Sequence, residues 1–300
     1  MRGEKAPRAS RVIGRTMDAR EWKDFYARER EALGEYGLRD LVERAPAVEA
    51  RRGGALIFPH TRLRESGLLV AAVARAVVRS GASEVLALGV LHQGRREDAA
   101  LIARARDGDA EAVVTMRRVH GPHIPGDRGH WTDEYSLDNF HALVDAAASA
   151  DRVAPPKIVA RFPFLVGAHP DSLIGIDDLH VVVARGAVVV ATTDAVHHGV
   201  GYGTPTPELR AIDDPASLEF ARSCVADGFA LLAARRYDEF ARHAAACRSD
   251  FRDNGPVLAA LLPPGLSSTI HAVTLVDYAE TLRSHAPTWV AATLSQFVSA

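Results

Sequence analysis

The chain has 300 residues, 47% apolar and 25% charged, with 36 Lys and Arg against 38 Asp and Glu. Those proportions exclude the disordered and membrane-embedded classes, and a net charge of −2 gives no basic field for nucleic acid or anionic lipid. Two cysteines, Cys224 and Cys247, are too few for a disulfide framework and point to a reducing, cytoplasmic setting.

Read in chain order, Met1 to Lys23 is charged and lacks the apolar core of a secretory signal. No later apolar run approaches the roughly 18 to 20 residues that a membrane span needs. Short β-branched runs then alternate with helical runs. Ala55 to Phe58 reads as a strand, Gly67 to Arg79 as an Ala/Val-rich helix, and Val85 to Leu91 as a second strand. The stretch His120 to His130 is one long loop, and a helix follows from about Leu137 to Ala148. Lys157 to Val166 and Ala187 to Thr192 are further strands. One long helix is expected from Pro215 to about Cys247, with Asp213 and Asp214 at its start. His271 to Tyr278 and Trp289 to Val298 alternate as an antiparallel sheet edge. This pattern predicts an α/β fold, with a central, mostly parallel or mixed β-sheet flanked by helices. A single domain is expected over residues 51–300, preceded by a partly helical N-terminal extension over 1–50.

The chemistry collects at one topological address. His60 follows the first strand, His92 closes the second, and Asp194 and His197 follow the strand that ends at Thr192. In open α/β sheets, ligands bind beyond the carboxyl ends of the strands, where loops and helix N-termini gather. Two imidazoles and one anionic group suit Zn, Fe, Cu or Ni, and form the facial arrangement of non-haem Fe(II) oxygenases. Asp194, Glu134, Asp138 and a Cys thiolate all qualify as the anion. The phosphate-loop, nucleophile-elbow, HExxH and CxxC patterns are absent, and Gly199 to Gly203 reads as a turn rather than a dinucleotide fingerprint.

An ordered set of segments resembles the MEMO family, relatives of the extradiol dioxygenases. PHTRLRESG (Pro59 to Gly67) is similar to the family's PHAGYxYSG, and LALGVLHQG (Leu86 to Gly94) to its strand ending in GPSHH. TDEYSLDNF (Thr132 to Phe140) resembles its HSIE segment, PFLVG (Pro163 to Gly167) its PxLVG, and ATTDAVHHG (Ala191 to Gly199) its SSDFSHYG. VDYAETL (Val276 to Leu282) resembles its terminal GYATS strand. Cys247, ahead of Pro256, falls where the family has a cysteine before a proline-started helix. The resemblance implies metal ligands at His60, His92 and Cys247, with Asp194 and His197 lining the pocket and His197 as acid–base. It also implies the single-domain fold of the extradiol enzymes, which use Fe(II) on catechol-like rings and have a glutamate as third ligand. Gln93, Tyr135 and Asp138 depart from the family's His, His and Glu, and Thr61 to Arg64 depart from its pocket wall.

Bland readings stand beside these. Glu134 and Asp138 suit a helix dipole, His120, His123 and His130 suit a solvated loop, and Cys224 suits a core. His198, next to His197, points the other way along an extended chain. Arg62 and Arg64 either guard the pocket or face water. The expected activity is a metal-dependent, dioxygenase-like oxidoreductase acting on a small chelating molecule, with Fe(II) first and Cu or Zn as alternatives. The rivals are a non-catalytic iron- or copper-binding or peptide-recognising adaptor and, further off, a metal-assisted hydrolase. Neither nucleic acid nor membrane is an expected partner.

Overall fold

The computed structural model describes residues 17–92, 96–167 and 169–299. In chain order the first half runs α1 (Ala19–Arg44), β1 (Ala55–Phe58), α2 (Leu63–Arg79), β2 (Glu84–Leu88), α3 (Ala99–Arg106), α4 (Ala110–Met116) and β3 (Arg118–His120). It continues through α5 (Asp138–Asp151), β4 (Lys157–Phe164), α6 (Ile176–Ala184), β5 (Val188–Thr192) and β6 (Asp194–Gly199). The last third is α7 (Pro215–Ala233), α8 (Tyr237–Cys247), α9 (Phe251–Leu261), β7 (Leu266–Asp277) and β8 (Thr288–Ser299).

The strands make one mixed sheet in the order β3-β4-β2-β5-β1-β8-β6, with β7 also pairing β8. Its centre, β4-β2-β5-β1, is parallel. Leu56 and Phe58 enter one apolar core while Ala55 and Ile57 enter another, so β1 is buried on both faces. That is why β1, β2 and β5 read as near-continuous apolar runs instead of alternating ones. The first core holds α2 and α5, where Phe58 stacks on Phe140 at 4.7 Å; the second holds α6, α7, α8 and α9. No described helix is long and apolar enough to cross a membrane.

Two expectations about elements change. The long helix breaks into α7 and α8 at Ala234 to Arg236, where Arg235 takes φ +55°, a turn that no Gly or Pro announces. β8 is not an edge: its outer neighbour is β7, and its other side is shared by β1 near Phe297 and β6 near Val290. The N-terminal helix is packed against the body. Tyr26 is buried, and the Glu29 carboxylate accepts the backbone N–H groups of Leu63 and Arg64, two otherwise unpaired donors at the start of α2.

Two residues of α9 fix that helix over the carboxyl edge of the sheet. Asn254 donates through Nδ2 to the carbonyls of Thr192 (2.8 Å) and Leu88 (3.4 Å), the last residues of β5 and β2. Asp253 accepts the N–H groups of Leu165 and Val166, each at 3.0 Å, and pairs with the Arg106 guanidinium, which lies 4.0 Å over the Phe164 ring. Removing one member of a buried ion pair strands the other. Asp253→Ala is therefore expected to cost roughly 3 kcal/mol of unfolding free energy in urea denaturation, and a loss below about 1 kcal/mol would contradict this role.

Candidate metal centre

Four pieces of chain meet beyond the carboxyl ends of β1, β2 and β5. His60 leaves β1 through Pro59, and its own N–H donates to Asp194 Oδ1 at 3.2 Å. His92 is carried past β2 by Gly89, Val90 and Leu91, and Gly89 N–H continues the ladder to the Arg161 carbonyl. A Cβ at Gly89 would lie 2.4 Å from the Phe162 ring, so only glycine lets the chain pass there. Ser136 braces the same segment, donating to the Val90 carbonyl and accepting the Val90 N–H. Asp194 opens β6, and His197 follows on its inward side. His198, pointing the other way, stacks on Trp289 at 4.5 Å and accepts the Arg210 N–H. That alternation is the one expected for an extended chain.

The fourth piece is Asp250, at the entry to α9. After α8 ends, Arg248 takes a left-handed conformation (φ +51°) and the chain turns back. Asp250 occupies the N-cap position, but its side chain does not cap the helix. Its carboxylate faces the histidines: Oδ2 lies 3.3 Å from His60 Nε2, 3.3 Å from His92 Nε2 and 3.5 Å from His197 Nε2. Asp194 Oδ2 is 3.5 Å from His60 Nε2. Two overlapping groups that could hold a cation result, His60–His92–Asp250 and Asp194–His197–Asp250, each with donor atoms within 4.8 Å of one another.

The outer nitrogens of the same rings are held by the protein. His92 Nδ1 lies 3.0 Å from Glu134 Oε1, His60 Nδ1 lies 3.1 Å from Thr192 Oγ1, and His197 Nδ1 donates to the Arg248 carbonyl at 2.7 Å. Every Nε2 is thereby aimed inward. This is the usual support for metal-bound imidazole, in which a carboxylate or carbonyl fixes ring and tautomer. An ion with bonds of about 2.1 Å needs donors roughly 3 to 3.4 Å apart, for octahedral to tetrahedral geometry, and the separations around Asp250 Oδ2 fit.

Charge makes the same case. Asp194, Asp250 and Glu134 are closely grouped carboxylates, and among the described residues their ion-pair partners are histidines, not Lys or Arg. Burial pushes the Asp194 carboxyl up. Burial opposes ionisation of Asp250 too, yet His197 and His92 hold its carboxyl well below the usual carboxylate range. His92 is the counterpart: burial disfavours its charge, but Glu134 and Asp250 overcome that and push it up to about 10. A grouping this rich in carboxylate is neutralised far better by a divalent ion than by one imidazolium.

Aromatic rings wall the group. Tyr135 lies flat on His92 at 4.9 Å, and Tyr202 meets the edge of His197 at 4.7 Å. Behind them the Tyr26 and Tyr278 hydroxyls are hydrogen-bonded to each other at 2.8 Å. Burial raises all four phenols, so they remain protonated. Side chains of His92, His197 and Asp250 keep 15–17% exposure, so solvent reaches this side of the group.

The structure brings His60, His92, Asp194 and His197 together and leaves Cys247 out. The Cys247 sulfur belongs to the core between α7 and α8, 3.6 Å from His243 Nε2. Asp250, three residues on, stands in its place. The turn at Arg248 ends α8 before the cysteine can face the histidines, and it swings the next acidic side chain inward. Glu134 is also more than a helix-dipole charge: its side chain is fully buried, and it accepts the His92 N–H at 2.8 Å as well as holding the ring. Asp138, by contrast, begins α5 and pairs with Arg30. His120 and His130 are buried rather than solvated, beside Asp127 and Asp98 respectively, while His123 is exposed. Arg62 pairs with Glu65, and Arg64 is exposed. Gln93 lies outside the described residues. A scan against protein-family models and a search of curated proteins each find no match for the chain.

Proposed function

We propose that the chain is a metal-dependent oxidoreductase of the ring-cleaving dioxygenase kind, with Fe(II) held by His60, His92 and Asp250 and a catechol-like or other chelating small molecule as substrate. One observation carries the reading: three imidazole Nε2 atoms surround a single carboxylate oxygen, Asp250 Oδ2, at 3.3–3.5 Å. Two histidines and a carboxylate are the facial ligand set of non-haem Fe(II) oxygenases. A carboxylate in the third position also avoids a thiolate, which would change the metal's electronics and invite oxidation. The resemblance to MEMO-like proteins and their extradiol relatives supports the same reading, the relatives having a carboxylate there.

Bound Fe(II) would supply the coordination sites at which a diol and dioxygen are brought together. The protein's own part is positioning and proton transfer. With Nδ1–H fixed on the Arg248 carbonyl, His197 presents its Nε2 lone pair to the centre and can take a proton from a substrate hydroxyl and return it. Asp194 holds the His60 backbone and ring in place. Tyr135 and Tyr202 flank the two more exposed histidines with apolar faces that limit water.

Anaerobic loading with Fe(II), followed by oxygen uptake across a panel of catechols, tests the reading. We expect uptake that requires both the metal and a catechol, and that His197→Gln reduces about 100-fold or more without releasing the metal. Retained metal with no turnover across the panel would favour the non-catalytic, metal-binding or peptide-recognising alternative. A hydrolytic two-ion reading has one observation in its favour, the two candidate groups that share Asp250. A stoichiometry of two ions per chain would support it over ours.

A further inference from the structure

The two outer borders of the sheet are built differently. On one side the last strand is β3, three residues long and carrying Arg118, and the part of β4 that β3 leaves uncovered carries Lys157 and Arg161. Short edge strands and basic side chains keep a bare edge from pairing with another chain. The other side ends on β7, whose strand partner is β8. β7 runs for 12 residues, LSSTIHAVTLVD, without a Lys, Arg or Pro, and Ser267, Ser268, Thr269 and His271 are exposed. A bulge between Ile270 and Ala272 interrupts it, with regular strand on both sides.

The backbone of that border is unpaired. Tyr278 N–H donates to the Thr288 carbonyl at 2.9 Å, which sets the alternation along the β7–β8 ladder. By that alternation Val273 and Leu275, and past the bulge Ser268 and Ile270, turn their N–H and C=O groups away from β8. Among the described residues no strand lies on that side to receive them. Beside the middle of β7 runs the flank of α7. Glu219, Arg222, Ser223 and Ala226 face Ile270 to Val273 across a groove of about 240 Å³. Ser223 and Ala226 are small and exposed, and neither Glu219 nor Arg222 forms an ion pair with a described residue.

We infer that this border is a dimer interface, at which a second copy of the chain lays its β7 antiparallel to this one. A twofold contact needs a patch that complements itself. Antiparallel pairing meets that need in the backbone, since each outward N–H finds a carbonyl of the other copy. The charges meet it as well. An axis normal to the sheet near the middle of β7 keeps both α7 helices on one face. It turns Glu219 of each copy toward Arg222 of the other, across the small Ser223 and Ala226. A strand about 40 Å long beside a helix about 10 Å across offers a strip of roughly 600 Å² per partner, the lower end of specific interfaces. None of this depends on the metal reading.

Sedimentation equilibrium on the full chain over about 1–100 µM tests the proposal, the affinity range of an interface this size. We expect a dimer at the upper end, with β7 amides increasingly protected from hydrogen exchange as concentration rises. Ser268→Pro removes an outward N–H at an exposed edge position, where proline is tolerated, and should give a monomer with unchanged circular dichroism. Glu219→Arg sets like charges face to face and should weaken association about tenfold, and adding Arg222→Glu should restore it. A chain that stays monomeric at about 100 µM overturns the proposal. So does a dimer whose affinity neither Ser268→Pro nor Glu219→Arg alters, because it uses another face.

Discussion

Asp250→Ala should lower affinity for Fe(II) or Zn(II) more than about 100-fold, beyond the range that losses outside the ligand set produce. The Asp250 carboxylate is the atom group that all three histidines face, at 3.3–3.5 Å, and no other described carboxylate is shared by both candidate groups. The fold should survive the change, because the Asp250 side chain does not cap α9. That helix is fixed instead by Asn254 and Asp253. Cys247→Ser is the paired control and should leave metal affinity where it was, since its sulfur lies with His243 in the core. Competition with a chromophoric chelator gives both affinities, and circular dichroism reports the fold. The reverse result, with metal lost from Cys247→Ser and kept by Asp250→Ala, would restore the thiolate ligand.

The second large effect is on protons. Glu134 and Asp250, outweighing the cost of burial, raise His92 to about 10, so near neutral pH the metal-free chain carries a proton on a nitrogen that the metal needs. Binding must expel it. Apparent affinity should therefore rise about tenfold per pH unit between roughly pH 7 and 9, with close to one proton released per ion. Titration calorimetry in buffers of different ionisation enthalpy counts that proton. Glu134→Gln should flatten the pH slope, because the main raising charge is gone, and should weaken binding about 10- to 100-fold through loss of the ring's support. In the metal-free chain the sign is that of a raised histidine. Its stabilisation is fully present below the ordinary value of 6.5 and is lost as pH rises through about 10. Affinity independent of pH across this window would mean that His92 is not a ligand.

What was legible in the residues, and what was not, follows from the physics of each position. Strands β1, β2 and β5 announce themselves as short apolar runs buried on both faces, and a parallel sheet then places His60, His92, Asp194 and His197 at one edge without any local motif. The choice of His197 over His198 follows from extended-chain alternation. Asp250 stayed hidden because its place depends on two breaks, at Arg235 and Arg248, where the chain enters left-handed conformations on arginine rather than glycine. A continuous helix through Cys247 makes the cysteine look like the residue on offer. One signal was available: Asp250 stands after the turn at Arg248 and directly before α9, an N-cap position in which an acidic side chain either caps the helix or has other work. Glu134 was misread for a related reason. Four residues ahead of Asp138, it appears to belong to the start of α5, whereas the chain there is a turn that folds its carboxylate back onto His92.

X-ray absorption at the metal edge of the Fe(II)- or Zn(II)-loaded chain addresses the ligand set directly. The account predicts a first shell of nitrogen and oxygen at about 2.0–2.2 Å with the outer-ring scattering of at least two imidazoles. A sulfur neighbour at about 2.3 Å would contradict it.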